Sequence, residues 1–301
     1  MFHTDLDEKI WLSDKGIRVA FSQGLISGIS PARIQPATVD VKSSDDKLLG
    51  GFQMRMIHHS RVTLKKGLQA FGDLRSSVRR KGLNAFYWPE DQGLFIANPS
   101  AQQYLIRKGD AFAQLHIGGS GDSVASEFKH GNVLTTNEEL EKMIREGHIS
   151  IGGKTPILEN GFLVFHASDR AYVLNVNPIG EVRMIEKSDF HDKTKYTKTR
   201  LNGESIRFNS PVNIVLAERI SLSQNVSLQL FYHDPETGEV QLNGVVDPGY
   251  QGNLTSQPTR HQPRKITGET PIVWARAIYF PDGVETPYDK KSQAQYQKAR
   301  Y

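Results

Sequence analysis

Apolar and polar residues alternate along much of this chain, and only two segments carry a helical spacing instead. Residues 52–71 alternate loosely, with Met54, Met56, Val62 and Leu64 on the apolar side. Residues 161–176 hold Phe162, Val164, Phe165, Tyr172, Val173 and Leu174, residue types that fit a pleated, half-buried surface. Residues 205–221 alternate again through Ile206, Phe208, Ile214, Val215 and Leu216, and residues 240–246 form a further short run. These patterns predict strands. A short helix is predicted where Ser13 can cap a turn, Ile17, Ala20 and Phe21 share one face, and Gly24 can end it. A second follows Thr136, which with Glu139 forms a capping-box pair; Leu140, Met143 and Ile144 make an apolar stripe read as packing, and Gly147 is a stop. Charged residues 189–198 and residues 234–238 read as loops.

The breaks in this pattern divide the chain. Gly118-Gly119-Ser120-Gly121-Asp122-Ser123 reads as a flexible polar break, and Gly152-Gly153 with Pro156 as another. The expected organisation is a first domain over residues 1–118, a connector with a helix over 119–158, and a second domain over 159–301. A length of 301 residues suits two domains. With 38% hydrophobic and 23% charged residues the composition is that of an ordinary soluble globular protein, and a net charge of +4 does not demand nucleic acid. The absence of cysteine excludes a disulfide framework and any cysteine-ligated zinc. No apolar run reaches membrane-spanning length and the N-terminal residues are polar and acidic, so the expectation is a cytoplasmic protein without membrane contact. His58 and His59 are adjacent on a predicted strand and so point to opposite faces; with no carboxylate at ligand spacing, no metal site is read there.

Two short stretches carry the chemistry. In Arg75-Ser76-Ser77-Val78-Arg79-Arg80-Lys81-Gly82-Leu83, two hydroxyls sit among cationic side chains. Hydroxyls donate to phosphate oxygens and arginine grips them through a charge-assisted fork, so the stretch points to an anion. Far downstream, Gly244-Val245-Val246-Asp247-Pro248-Gly249-Tyr250-Gln251-Gly252 runs from an apolar segment into an acid and a Pro-Gly turn. A hairpin of this kind holds a carboxylate at a fixed edge.

Together the two stretches resemble the dCTP deaminase/dUTPase family, whose motifs read Arg-Ser-Ser-x-x-Arg-x-Gly-Leu and Asp-Pro-Gly-aromatic-x-Gly. The helix at 13–24, Ile29-Ser30-Pro31 and Gln35-Pro36-Ala37-Thr38-Val39-Asp40-Val41 resemble the family's N-terminal signature, in which the acid, here Asp40, is architectural. Residues 104–117 and 265–280 resemble its closing strand pairs. The resemblance implies a mainly β chain of two tandem dUTPase-like distorted β-barrel or jelly-roll domains, most like the two-domain dCTP deaminases. The motifs are divided between the domains. No acid follows the serine motif in the first half, where Glu90 and Asp91 read as turn residues, and Leu228-Gln229-Leu230-Phe231 replaces the serines in the second. One composite site is therefore expected where Ser76 and Ser77 face Asp247, within one chain or between chains.

By the same resemblance Arg75 and Ser77 bind phosphate, Ser76 lies beside the reacting base, Arg80 neutralises charge and Asp247 holds the sugar. Arg79 stands where the family has a small residue. Gly249, Tyr250, Gln251 and Gly252 complete the binding hairpin. The tail resembles a closing lid through Tyr288 and Tyr296; Gln295 stands at the expected phosphate-binding lysine, leaving Lys290, Lys291 or Lys298 to substitute. The ligand implied is dCTP or dUTP, with Mg²⁺ carried on its phosphates and no zinc. The implied reaction is zinc-independent hydrolysis of dCTP to dUTP, possible onward conversion to dUMP, and ammonia. The position of the family's general base is Gln257, whose amide cannot accept a proton as a carboxylate does. Two alternatives follow: a dUTP diphosphatase, in which Asp247 orients water, and a nucleotide-binding regulator that has lost the base. Family domains gather around threefold axes, so a homo-oligomer, such as a trimer of tandem domains, is expected.

Overall fold

The computed structural model describes residues 9–65, 67–88, 93–120, 128–175, 181–185, 195–206, 211–234, 238, 240–257 and 264–290. The chain is mainly β. Both expected helices form. Helix Asp14–Ser22 starts at Ser13, whose hydroxyl accepts from the Gly16 amide; Ile17 and Ala20 are buried and Gly24 follows in the left-handed region. Helix Asn137–Arg145 carries the complete capping box, the Glu139 amide donating to Thr136 Oγ1 at 3.2 Å and the Thr136 amide to Glu139 Oε2 at 3.1 Å. Such caps satisfy amides that the first turn leaves without helical partners.

Among the described residues 14 strands form one connected sheet system. Its first part is centred on Ala111–Ser120, which pairs antiparallel with Val39–Lys42 and with Leu68–Leu74. Its second part is centred on Phe162–Leu174, Val212–Leu222 and Pro271–Tyr279. The parts are joined by Lys9–Leu12, which pairs on one side with Ala111–Ser120 and on the other with His130–Val133, itself paired to Pro271–Tyr279. Two large cores lie beneath. One gathers Leu12, Ile17, Val39, Leu74 and Leu115; the other Leu163, Phe165, Ile214, Leu228 and Ala275. The first core also takes in Tyr172, Leu174, Tyr196 and Val215, so packing crosses between the halves.

Two local expectations are corrected. Gly118, Gly119 and Ser120 are not a flexible break: they are the end of strand Ala111–Ser120, paired with Lys9–Leu12. Glycine serves the crowding there, since a Cβ on Gly118 would lie 2.4 Å from the Ile10 carbonyl oxygen. The charged stretch 189–198 is not all loop, because Tyr196–Arg200 pairs with Phe162–Leu174 and Tyr196 is 3% exposed in the first core. Glu90, Asp91 and residues 121–127 lie outside the described residues. His58 is exposed and His59 buried, its Nδ1 2.9 Å from the Ser60 carbonyl.

The joining strand has a titratable neighbour. Trp11 meets the buried ring of His116 edge-on at 5.5 Å. Burial pulls the His116 pKa from 6.5 down to about 4, against the opposing pull of the Asp247 carboxylate. The unfolded chain thus takes up a proton on His116 before the native chain does, and the stability this neutral ring supports is present above pH 6.5 and lost as pH falls toward 4. Chemical denaturation at pH 7 and pH 5 should show His116 contributing on the order of 2 kcal/mol to the loss between them. His116→Phe should flatten the difference; an unchanged pH dependence would show that the ring is not held neutral.

Candidate functional site

Strand Leu68–Leu74 delivers the serine motif, which turns into the short helix Ser76–Arg79 with Arg75 at its start and Arg80 at its end. The local sequence makes this turn stable. Val78 and Leu83 are fully buried, and burying such side chains contributes roughly 1.5–3 kcal/mol each. That anchoring leaves Ser76 exposed and Ser77 half-buried. Arg79 is 4% exposed and donates to the Asp73 carboxylate, also 4% exposed, on the preceding strand. Burial raises the Asp73 pKa and the Arg79 charge opposes that. Arg79 therefore fixes the turn from behind.

Arg75 is steadied in front. Its Nε lies 3.6 Å from Asp40 Oδ1, and Asp40 accepts from the side-chain amides of Gln35 and Gln114 at 3.2 Å each. At the end of the motif Gly82 has φ +80°, and a Cβ there would lie 2.4 Å from Pro211 Cγ. Only glycine meets both demands. Next to this contact Asn213 Nδ2 donates to the Arg80 carbonyl at 3.2 Å.

The opposite wall comes from the second half. Strand Val240–Val246 leads to Asp247, and the turn closes where the Tyr250 amide donates to the Asp247 carbonyl at 3.2 Å. Gly249 sits at φ +81°, with a virtual Cβ only 2.8 Å from Pro287 Cβ. The C-terminal segment can therefore cross the hairpin there, the Tyr288 amide donating to the Pro248 carbonyl at 2.7 Å. Tyr250 and Tyr288 bring their rings to 5.6 Å. The crossing segment is tied to the first helix: buried Asp14 accepts from the Glu285 and Thr286 amides at 2.9 and 3.0 Å, and Arg18 pairs with Glu285 at 3.0 Å. Burial raises the Asp14 pKa, and these amides oppose the rise.

Between the walls lies a cavity of about 620 Å³. Arg75, Ser76, Ser77 and Arg80 line it from the first half; Asp247, Tyr250, Gln257 and Tyr288 line it from the second. One chain thus assembles both walls. Gly249, Gln251 and Gly252 build the hairpin without lining the cavity. Tyr296, Lys298 and Lys291 lie outside the described residues, and Lys290 is exposed. The lining carries five cationic side chains, Arg33, Lys42, Arg75, Arg79 and Arg80, against two carboxylates, Asp40 and Asp247, with Arg79 offset by Asp73 behind it. A concave surface with that excess of positive charge favours a polyanion.

The sequence reading missed Arg33, Lys42, Gln114, Asn213 and Asn243. All but Asn213 line the cavity. Asn243 donates to the Gln257 carbonyl at 3.0 Å and to Ser256 Oγ at 3.1 Å. None of these had a local signal; each is one polar residue in a strand or, for Arg33, in a single 3-10 turn. Among the described residues, no group of three or more His, Asp or Glu is placed to hold a metal ion, and no helix is long and apolar enough to cross a membrane.

No protein-family model and no curated protein sequence matches the chain. The fold itself has a counterpart among solved structures. The chain is similar to the crystal structure of 2'-deoxycytidine 5'-triphosphate deaminase from Agrobacterium tumefaciens, with a TM-score of 0.71 and 13% sequence identity. The likeness covers 92% of this chain and 100% of that one.

The buried pair under the motif gives a direct test. Asp73→Ala leaves the Arg79 charge uncompensated and should cost about 3–5 kcal/mol of unfolding free energy in chemical denaturation. Replacing both partners, Asp73→Leu with Arg79→Met, should recover most of that loss, because a matched apolar pair needs no counter-charge. A double variant as unstable as Asp73→Ala would mean that the pair acts through something other than charge burial.

Proposed function

We propose that the cavity binds a pyrimidine deoxynucleoside triphosphate, dCTP or dUTP, and that the protein is a slow, zinc-independent hydrolase of dCTP deaminase type. The carrying observation is that the Ser76–Arg80 motif and Asp247 face one cavity within one chain of this fold. Arg75 and Ser77 hold the phosphates, with Mg²⁺ arriving on them. Ser76 positions water beside the base, Arg80 neutralises developing charge, and Asp247 holds the sugar. Tyr288 closes the hairpin side and keeps bulk water out.

The reaction adds water at C4 of cytosine and releases ammonia, which needs a proton taken from the water and one given to the amine. Gln257 cannot serve as that base. Losing a general base costs on the order of 10²–10⁴-fold, so turnover rests on the positioning and charge stabilisation supplied by Ser76 and Arg80. The same observation favours a second reading, that of a site retained for binding: no described carboxylate other than Asp40 and Asp247 lines the cavity, and Asp40 is engaged by Gln35, Gln114 and Arg75.

Purified protein with Mg²⁺ and, separately, dCTP and dUTP, followed by nucleotide chromatography, distinguishes these readings. Slow conversion of dCTP to dUTP or dUMP is expected, with Ser76→Ala lowering it by about 10²-fold or more. Pyrophosphate release from dUTP alone would establish a diphosphatase. Binding without turnover would establish the regulator, and no binding would remove the nucleotide from this cavity.

A further inference from the structure

Gln257 does more than vacate the place of a base. It is 6% exposed, and its Nε2 donates to Asn213 Oδ1 at 2.8 Å. Asn213 is fully buried, and its own Nδ2 donates to the Arg80 carbonyl at 3.2 Å. The orientation of both amides follows from the far end. A backbone carbonyl can only accept, so Asn213 must turn its NH₂ toward Arg80 and its oxygen toward position 257. Position 257 must then donate. The side-chain oxygen Oε1 of Gln257 is buried with no hydrogen-bond partner among the described residues, so the Asn213 contact alone orients the side-chain amide. A glutamate carboxylate there would set acceptor against acceptor.

We infer that Gln257 and Asn213 are positioning residues that rivet the second-half wall to the carbonyl of Arg80 and thereby set the spacing between the serine motif and Asp247. This rests on the nucleotide-binding reading, and it holds whether or not deamination occurs. The rivet has a steric half as well. Pro211, two residues before Asn213, presses on Gly82, where a Cβ has no room. Strand Val212–Leu222 and Pro211 just before it thus reach both ends of the segment Arg80-Lys81-Gly82, and the strand pairs with Gln251–Ser256, which runs on into Gln257. A ligand that spans both walls depends on that spacing. A ligand that touches only the serine motif does not.

The test uses titration calorimetry of the full chain with Mg²⁺ and, in turn, dCTP, dUTP and inorganic tripolyphosphate. Asn213→Asp keeps the shape and can still accept from Gln257, yet it cannot donate to the Arg80 carbonyl. It should weaken whichever nucleotide the wild type binds by about tenfold or more, while tripolyphosphate affinity stays within about twofold. Gln257→Glu, which reaches the same junction from the other side and spares the Arg80 contact itself, should show the same nucleotide-selective loss. Nucleotide affinities unchanged in both variants would overturn the rivet, and so would a parallel loss of tripolyphosphate, which marks general damage to the fold. Wild-type protein that binds neither nucleotide would overturn the nucleotide-binding reading itself, a result distinct from any seen only in the variants.

Discussion

One backbone constraint governs the arrangement of this molecule. Strand Lys9–Leu12 has two edges, and both are used, one by the first half and one by the strand His130–Val133 that leads into the second. Main-chain hydrogen bonds have a fixed spacing of about 4.8 Å between strands. A strand paired on both sides therefore transmits position without needing any particular side chain. The two sheets become one surface, and the cavity walls are held by the same ladder that holds the cores. The close approach at Gly118 follows from this geometry.

Charge is arranged around that frame with a clear division of labour. Arg79 lies against the cavity wall, buried and paired with Asp73, and serves the turn. Arg75 is braced by Asp40, which is itself satisfied by two glutamine amides. A buried charge such as that of Arg79 is expensive when alone and tolerable when paired. The cost is met in the supporting layer, so Ser76 and Ser77 can remain open to the cavity. The same logic explains how an arginine can be buried at position 79: Asp73 on the adjoining strand gives it a partner.

Legibility in the sequence followed the range of the physics. Ser13 and the Thr136–Glu139 pair could be read because capping is settled within a single turn of chain. Ser76 and Asp247 could be read because each lies in a contiguous motif. That they would face each other within one chain could not, since it depends on the pairing of Lys9–Leu12, a strand with no strong local pattern. Gly118-Gly119-Ser120 looked like a loop because glycine lowers strand propensity, whereas here glycine admits a neighbouring carbonyl. Tyr196 was hidden by the charged residues around it. Asn213 was silent for a similar reason: a lone amide in an alternating run has no meaning until the Arg80 carbonyl is placed beside it.

The crossing at Gly249 bears on how such a chain can change over time. Residues near the C-terminus lie across the second-half hairpin, yet their amides are held by Asp14 on the first helix. The two ends of the described chain are fastened to each other, and Tyr288, just beyond the fastening, lines the cavity. Each half supplies the cavity with something different: the first brings Ser76 and Ser77, the second brings Asp247, and the segment that crosses the second is held by Asp14 in the first. A gene encoding either half alone would specify an open sheet edge and half a cavity. A change in either half that moved its wall would therefore be felt at the other, through the shared strand pairing and the Asp14 contacts.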